Sequence, residues 1–464
     1  MRDRTTIAKG FQMNSQPAAA EPQNLRYAWY VVFALMLCYT LSFVDRQILA
    51  FLVGPIKRDL HVTDEQVGLL GGFAFAIFYT LVGLPMGRLA DKLSRRNIIA
   101  IGVVFWSFMT ASGSIAKSYW TLAFSRVGVG VGEATLGPSA FSLISDYFPK
   151  EKLSSALSVY SMGILIGSGL ALIVGGMVVG AVSSSPAVDL PVLGNVAAWQ
   201  LTFLVVGLPG LLFALLVFTV REPKRKGLAV GSDGQTTTVD VAEALSQVFA
   251  RWPVVFGVSL AMACQSIGNY TLTFWGPSFF ERVHHWSKSD IGLTLGLITL
   301  SFGCLGLFVG GRLSDRWVGQ GVYEGPLKVG CIAVLGVACT LAPAMLVSNV
   351  SLTIALLMPT LFFLGMPIGS AYASLQMIFP NQVRGVVSAL FLFILNFIGL
   401  GLGPYVPGLL NVRVFHDDNM VGASIAITVA TASVLGAILF WASFAPYRRY
   451  YAEMHGTGVS GQEP

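Results

Sequence analysis

Gly87-Arg88-Leu89-Ala90-Asp91-Lys92 and Gly311-Arg312-Leu313-Ser314-Asp315-Arg316 lie 224 residues apart, and each closes a long apolar run. Outward from this pair, three further matches appear in the same order. Gly54-Pro55 returns as Gly276-Pro277 after 222 residues, Phe148-Pro149 as Phe379-Pro380 after 231, and Ser155-Ala156-Leu157 as Ser388-Ala389-Leu390. Ordered matches at nearly one offset mark a duplicated unit.

Composition says what the unit is made of. The chain has 464 residues, a length that alone suggests about three soluble domains. Yet 54% of the residues are apolar, 11% are charged, and the mean hydropathy is +0.70. A soluble surface needs about a quarter of its residues charged. Soluble enzymes, nucleic-acid binders and disordered chains are therefore excluded. A membrane-spanning helix takes about 20 mostly apolar residues, and twelve segments qualify: 27–53, 65–88, 97–116, 120–147, 152–182, 199–220, 252–283, 289–312, 327–347, 351–378, 383–410 and 420–445. Trp29, Trp120, Trp199, Trp252 and Trp441 fall near their ends, where interfacial aromatics belong.

With both termini on the cytoplasmic side, 21 of the 29 Lys and Arg residues are cytoplasmic. Six lie opposite (Lys57, Arg58, Lys117, Arg282, Lys288, Arg413), and Arg46 and Arg126 lie within the membrane. That asymmetry is the positive-inside signature. The expected organisation is a cytoplasmic tail over 1–26, a six-helix bundle over 27–220, a cytoplasmic linker over 221–251, a second bundle over 252–445 and a tail over 446–464. The first 26 residues carry no apolar signal core. The fold class is all-α integral membrane, with twelve helices in two pseudo-symmetric bundles. Such parallel repeats alternate access by rocking one half on the other. Cys38, Cys264, Cys304, Cys331 and Cys339 sit in apolar runs without CxxC spacing, so they read as core residues rather than disulfides or metal ligands.

The stretch Gly87-Arg-Leu-Ala-Asp91-Lys92-Leu-Ser-Arg95-Arg96 resembles the signature loop of the major facilitator superfamily, with Ser94 where that family usually has Gly. Arg126-Val-Gly-Val-Gly130-Val-Gly132-Glu133-Ala134 is similar to its fourth-helix motif, and with Phe43-Val-Asp45-Arg46 it looks like the spinster-like group. That resemblance implies lysophospholipids or sphingoid phosphates as substrates. Physically, Gly87 and Gly311 would let a neighbouring helix approach. Asp91 and Asp315 could then face the positive N-termini of the eleventh and fifth spans, while Arg95, Arg96 and Arg316 reach cytoplasmic carboxylates or lipid phosphates. Together these residues form a candidate gate; otherwise they serve only to fix topology.

Ionisable residues inside a membrane are costly and so are functional candidates. They are few here: Asp45, Arg46, Arg126 and Glu133. Arg126 and Glu133 are seven apart and return to nearly one helix face, to within about 20°. For Arg126 the alternative role is simply to neutralise Glu133. Asp45 and Arg46 diverge by about 100° around their helix. The second half repeats none of these charges. Proton coupling is therefore expected at Asp45 or Glu133, and substrate binding at Arg46 and Arg126, with Asn269 and Tyr270 opposite.

No GxxxxGK[ST] loop is present to use ATP. An ion gradient remains as the energy source, with protons suited to buried carboxylates. The leading expectation is a proton-coupled transporter of an amphipathic anionic lipid, monomeric, in the cell membrane, without cofactor, metal or nucleic acid. The alternative is a proton-linked carrier of small organic anions or drugs. An integral-membrane lipid hydrolase is disfavoured: His61, His284, His285, His416 and His455 fall in loops or the tail, and no GxSxG elbow occurs.

Overall fold

The structure is a computed structural model that describes residues 25–183, 188–190, 194–223, 225, 241–380 and 383–455. The tails at 1–24 and 456–464 and linker residues 224 and 226–240 lie outside the described residues.

Apolar runs become helices because a backbone in hydrocarbon has no water to bond and must satisfy itself. Among the described residues twelve long helices result: α1 (Leu25–Phe51), α2 (Asp64–Ala90), α3 (Arg95–Ile115), α4 (Tyr119–Tyr147), α5 (Ser155–Val182), α6 (Ala198–Phe218), α7 (Trp252–Val283), α8 (Lys288–Gly319), α9 (Gly325–Leu346), α10 (Val350–Met377), α11 (Arg384–Phe415) and α12 (Asp418–His455). Eleven are long and apolar enough to cross a membrane. The other, α7, has ample length at 32 residues, but polar side chains such as Gln265, Asn269 and Thr271 interrupt its apolar surface. The first span ends at Phe51, two residues earlier than expected, and a short helix Val53–Leu60 follows it. A small hairpin pairs Val188–Leu190 with Gly194–Val196.

Several helices are interrupted where side chains are needed. α4 breaks immediately after Glu133. α11 widens into π-helical turns over Leu395–Leu400 and Asn411–Phe415 and carries Pro404 and Pro407 between them. Pro407 cannot donate to the Gly403 carbonyl four residues back. Thr271 Oγ1 of α7 donates to that carbonyl instead, at 2.8 Å, and Trp275 Nε1 donates to the Pro404 carbonyl at 2.7 Å.

In the first half α1 packs on α5, and α3 packs on α4 and α6; in the second, α7 and α9 pack on α12. The halves meet mainly through α5 against the start of α8, and through the start of α2 against the end of α11. Both contacts lie toward the face away from the chain ends, here the far face; the opposite one is the terminal face. Glycines make the approach possible. A Cβ at Gly176 would sit 2.9 Å from the Gly292 Cα, and one at Gly68 would sit 2.5 Å from the Pro404 carbonyl oxygen. A buried apolar cluster including Phe51, Leu172, Trp275 and Phe279 joins the halves there.

Candidate functional site

α1 and α4 bring the four intramembrane charges together. Arg46 Nε lies 2.5 Å from Glu133 Oε2, whose side chain is fully buried. The same guanidinium lies over the rings of Phe43, Phe75 and Tyr79, at 5.2, 4.7 and 4.8 Å from their centroids. Arg46 is therefore clamped on several sides. Arg126 is held more loosely. Its Nη2 donates to the Asp45 main-chain carbonyl at 3.2 Å, while Nε and Nη1 are buried without a hydrogen-bond partner. The Asp45 carboxylate is likewise buried without a hydrogen bond, facing Arg126 and the Trp106 indole. The sequence makes Arg126 the natural counter-charge of Glu133; the structure puts Arg46 in direct contact instead. This is possible because Asp45 and Arg46 point different ways around α1.

Arg46 and Arg126 line a cavity between the halves. Its first-half wall also has Phe43, Gln47, Phe75 and Ser168. The opposite wall is Asn269, Tyr270, Thr273 and Phe274 of α7 with Leu400 and Pro404 of α11. Asn269 and Tyr270 thus share the cavity with both arginines. Asp45 and Glu133 do not line it. No formal charge comes from the second half. A cationic wall faces an uncharged one, polar at Asn269, Tyr270 and Thr273 and apolar at Phe274, Leu400 and Pro404.

The gate candidates lie at the terminal face. A Cβ at Gly87 or Gly311 would meet nothing within 4 Å, so the close approach is not made in this conformation. The Asp91 side chain lies outside what the structure describes. Asp315 and Arg316 are exposed. Arg95 is buried and bridges two carboxylates, pairing with Asp146 and donating through Nε to Glu222 at 2.8 Å. The Arg96 main-chain N–H and the Ser94 hydroxyl each donate to Glu222 at 2.9 Å. Glu222 therefore sits on the N-terminus of α3, where a carboxylate is favoured. Burial alone would raise its pKa, but these hydrogen bonds and the Arg95 charge hold it below the usual carboxylate value. Among the described residues, every ion pair that joins the halves lies at the far face: Lys57–Asp418, Arg282–Asp64 and Arg413–Glu65. The far face is latched and the terminal face is open.

Sequence reasoning missed Glu222, the rings around Arg46, and Asp64. Glu222 had a visible signal as the lone acid in the basic run Arg221–Lys226. Phe75 and Tyr79, four apart on α2, are stacked neighbours whose spacing was also readable.

The family model of the Major Facilitator Superfamily matches residues 35–404. A protein of Mycolicibacterium smegmatis named MFS-type efflux pump is 29% identical over 437 residues, covering 93% of this chain and 96% of that one. Protein spinster of Drosophila melanogaster is 29% identical over 318 residues, 65% of this chain, and the match spans 49% of the fly protein. A crystal structure of a bacterial homolog to the human lysosomal transporter Spinster, inward-facing and unoccupied, aligns with a TM-score of 0.75 at 26% identity. That alignment covers 94% of this chain and 99% of the other. The chain belongs to the Major Facilitator Superfamily as a multi-pass membrane transporter rather than an enzyme, and its likeness within that family runs to the spinster type.

Proposed function

We propose that the protein carries an amphipathic anion, of the lysophospholipid or sphingoid-phosphate kind, across the cell membrane with proton coupling. The observation that carries this reading is the two-sided cavity, with guanidinium groups on one wall and an uncharged, partly apolar wall opposite. The anionic headgroup would sit against Arg126, which lines the cavity and keeps two nitrogens without a hydrogen-bond partner, while the tail follows α7 and α11. The lipid class is what the motif resemblance to the spinster-like group implies, and the spinster-type relatives agree with that group.

Glu133 and Asp45 serve as the proton-binding groups. Protonating Glu133 removes the ionic partner of Arg46 and leaves that guanidinium available to an incoming anion. With the termini in the cytoplasm, as the Lys and Arg distribution indicates, the described conformation is open to the inside. The protein works as a monomer, each chain holding one complete cavity.

A second reading is proton-linked efflux of compact organic anions or drugs. It is favoured by the mycobacterial efflux pump, because that match spans nearly the whole of both chains. Flux into proteoliposomes under an imposed pH gradient tests both. Lysolipid analogues with one headgroup and increasing chain length are offered as competitors. The lipid reading expects competition to require a long chain, and equal competition by the tail-free headgroup would leave the small-anion carrier as the better account.

A further inference from the structure

The far-face latch contains a carboxylate that none of the transport reasoning uses. Asp64 is the first residue of α2, beside the N-cap Thr63, and its side chain is fully buried. Arg282 of α7 grips it with two nitrogens, Nη1 to Oδ2 at 2.6 Å and Nη2 to Oδ1 at 2.9 Å. Asn411 of α11 donates to Oδ2 at 2.9 Å and is itself held by Ser424 of α12 at 2.6 Å. Lys57, from the same half as Asp64, adds a contact of 2.8 Å. Two helices of the second half therefore converge on one carboxylate of the first, and a third braces the Asn411 side chain. A helix N-terminus also favours negative charge at that position.

The neighbouring pair Glu65–Arg413 also joins the halves at 2.8 Å, yet Arg413 is 68% exposed. The two pairs share place and chemistry and differ in burial. An exposed pair contributes little, whereas breaking a buried one strands charges without water.

We propose that Asp64 is the positioning residue of the far gate: the three donors it accepts from the second half, two on Arg282 and one on Asn411, hold the far face shut, and transport requires them to release it. The proposal goes beyond the substrate assignment and does not depend on it.

The test measures distances across the far face between spin labels at Lys117→Cys and Ser348→Cys, both exposed loop positions, in a background free of the native cysteines. In folded protein, Asp64→Asn should raise the far-open population by at least about tenfold over wild type. Glu65→Gln should change it by no more than about fivefold. Arg282→Gln and Asn411→Ala remove donors from the opposite half and should shift the population in the same direction, so the outcome does not hang on one variant. A wild-type distance distribution in Asp64→Asn, or shifts no larger than that of Glu65→Gln across the set, overturns the proposal.

Discussion

Arg46 and Arg126 line the same cavity, but Arg46 is held by a carboxylate and three rings while Arg126 keeps unbonded donors. That difference predicts different phenotypes. A hydrogen bond to a charged group contributes about 1.5–3 kcal/mol, so Arg126→Ala should weaken anion binding by roughly 10- to 100-fold in a competition assay. Arg46→Ala should also affect proton dependence, because it strips Glu133 of its partner. Glu133→Gln and Asp45→Asn should abolish uphill accumulation driven by a pH gradient while exchange of substrate for substrate persists. Proteoliposome uptake with and without the gradient separates the two; uphill accumulation with wild-type pH dependence in both variants would refute the assignment. The identity of the charged residues was legible in the sequence, since ionisable groups stand out against apolar spans. Their pairing was not. Arg46 and Glu133 are 87 residues apart, and which arginine meets the carboxylate depends on how α1 and α4 are rotated against each other.

At the scale of the helix, glycines divide into two kinds that the sequence does not tell apart. Gly176 and Gly292 are in contact across the halves, while Gly87 and Gly311 face open space. Gly87→Val should leave thermal stability in this conformation within about 0.5 kcal/mol of wild type. Should the terminal face close on this glycine, the variant also lowers transport turnover, and spin-label distances across that face then fail to shorten. Gly292→Leu should instead destabilise the described state, because its side chain would meet the Leu172 carbonyl and the Gly176 backbone. The exit of α6 is tied to α3 by Glu222. Its pKa is held below the ordinary 4.5, so it adds stability above about pH 4.5 that is lost as pH falls through its lowered value. Glu222→Gln should therefore lower the melting temperature near neutral pH, and the two curves should converge in acid, as read by circular dichroism. Helix number and repeat were readable because every span needs an apolar run. The breaks in α4 and α11 were less so, since Gly and Pro are abundant throughout the spans.

Across the whole molecule, the duplicated scaffold carries unequal halves: one supplies the intramembrane charge and the other a neutral wall. The open terminal face and latched far face imply sided access. Asn269, exposed toward the cavity, should react as Asn269→Cys with a membrane-impermeant thiol reagent at least about tenfold faster from the terminal side than from the far side, and Asp64→Asn should narrow that ratio. Equal rates from both sides in the otherwise wild-type chain would contradict the described conformation. The bond between Trp275 and the Pro404 carbonyl has an optical corollary. Its indole is fully buried beside the Arg282 guanidinium, 5.8 Å from the ring centroid, and Arg282 is one of the groups gripping Asp64. Opening of the far face should move that guanidinium and admit water to the indole. The chain thus contains its own chromophore for the transition: the emission lost in Trp275→Phe should be the component that shifts to longer wavelength as the far face opens.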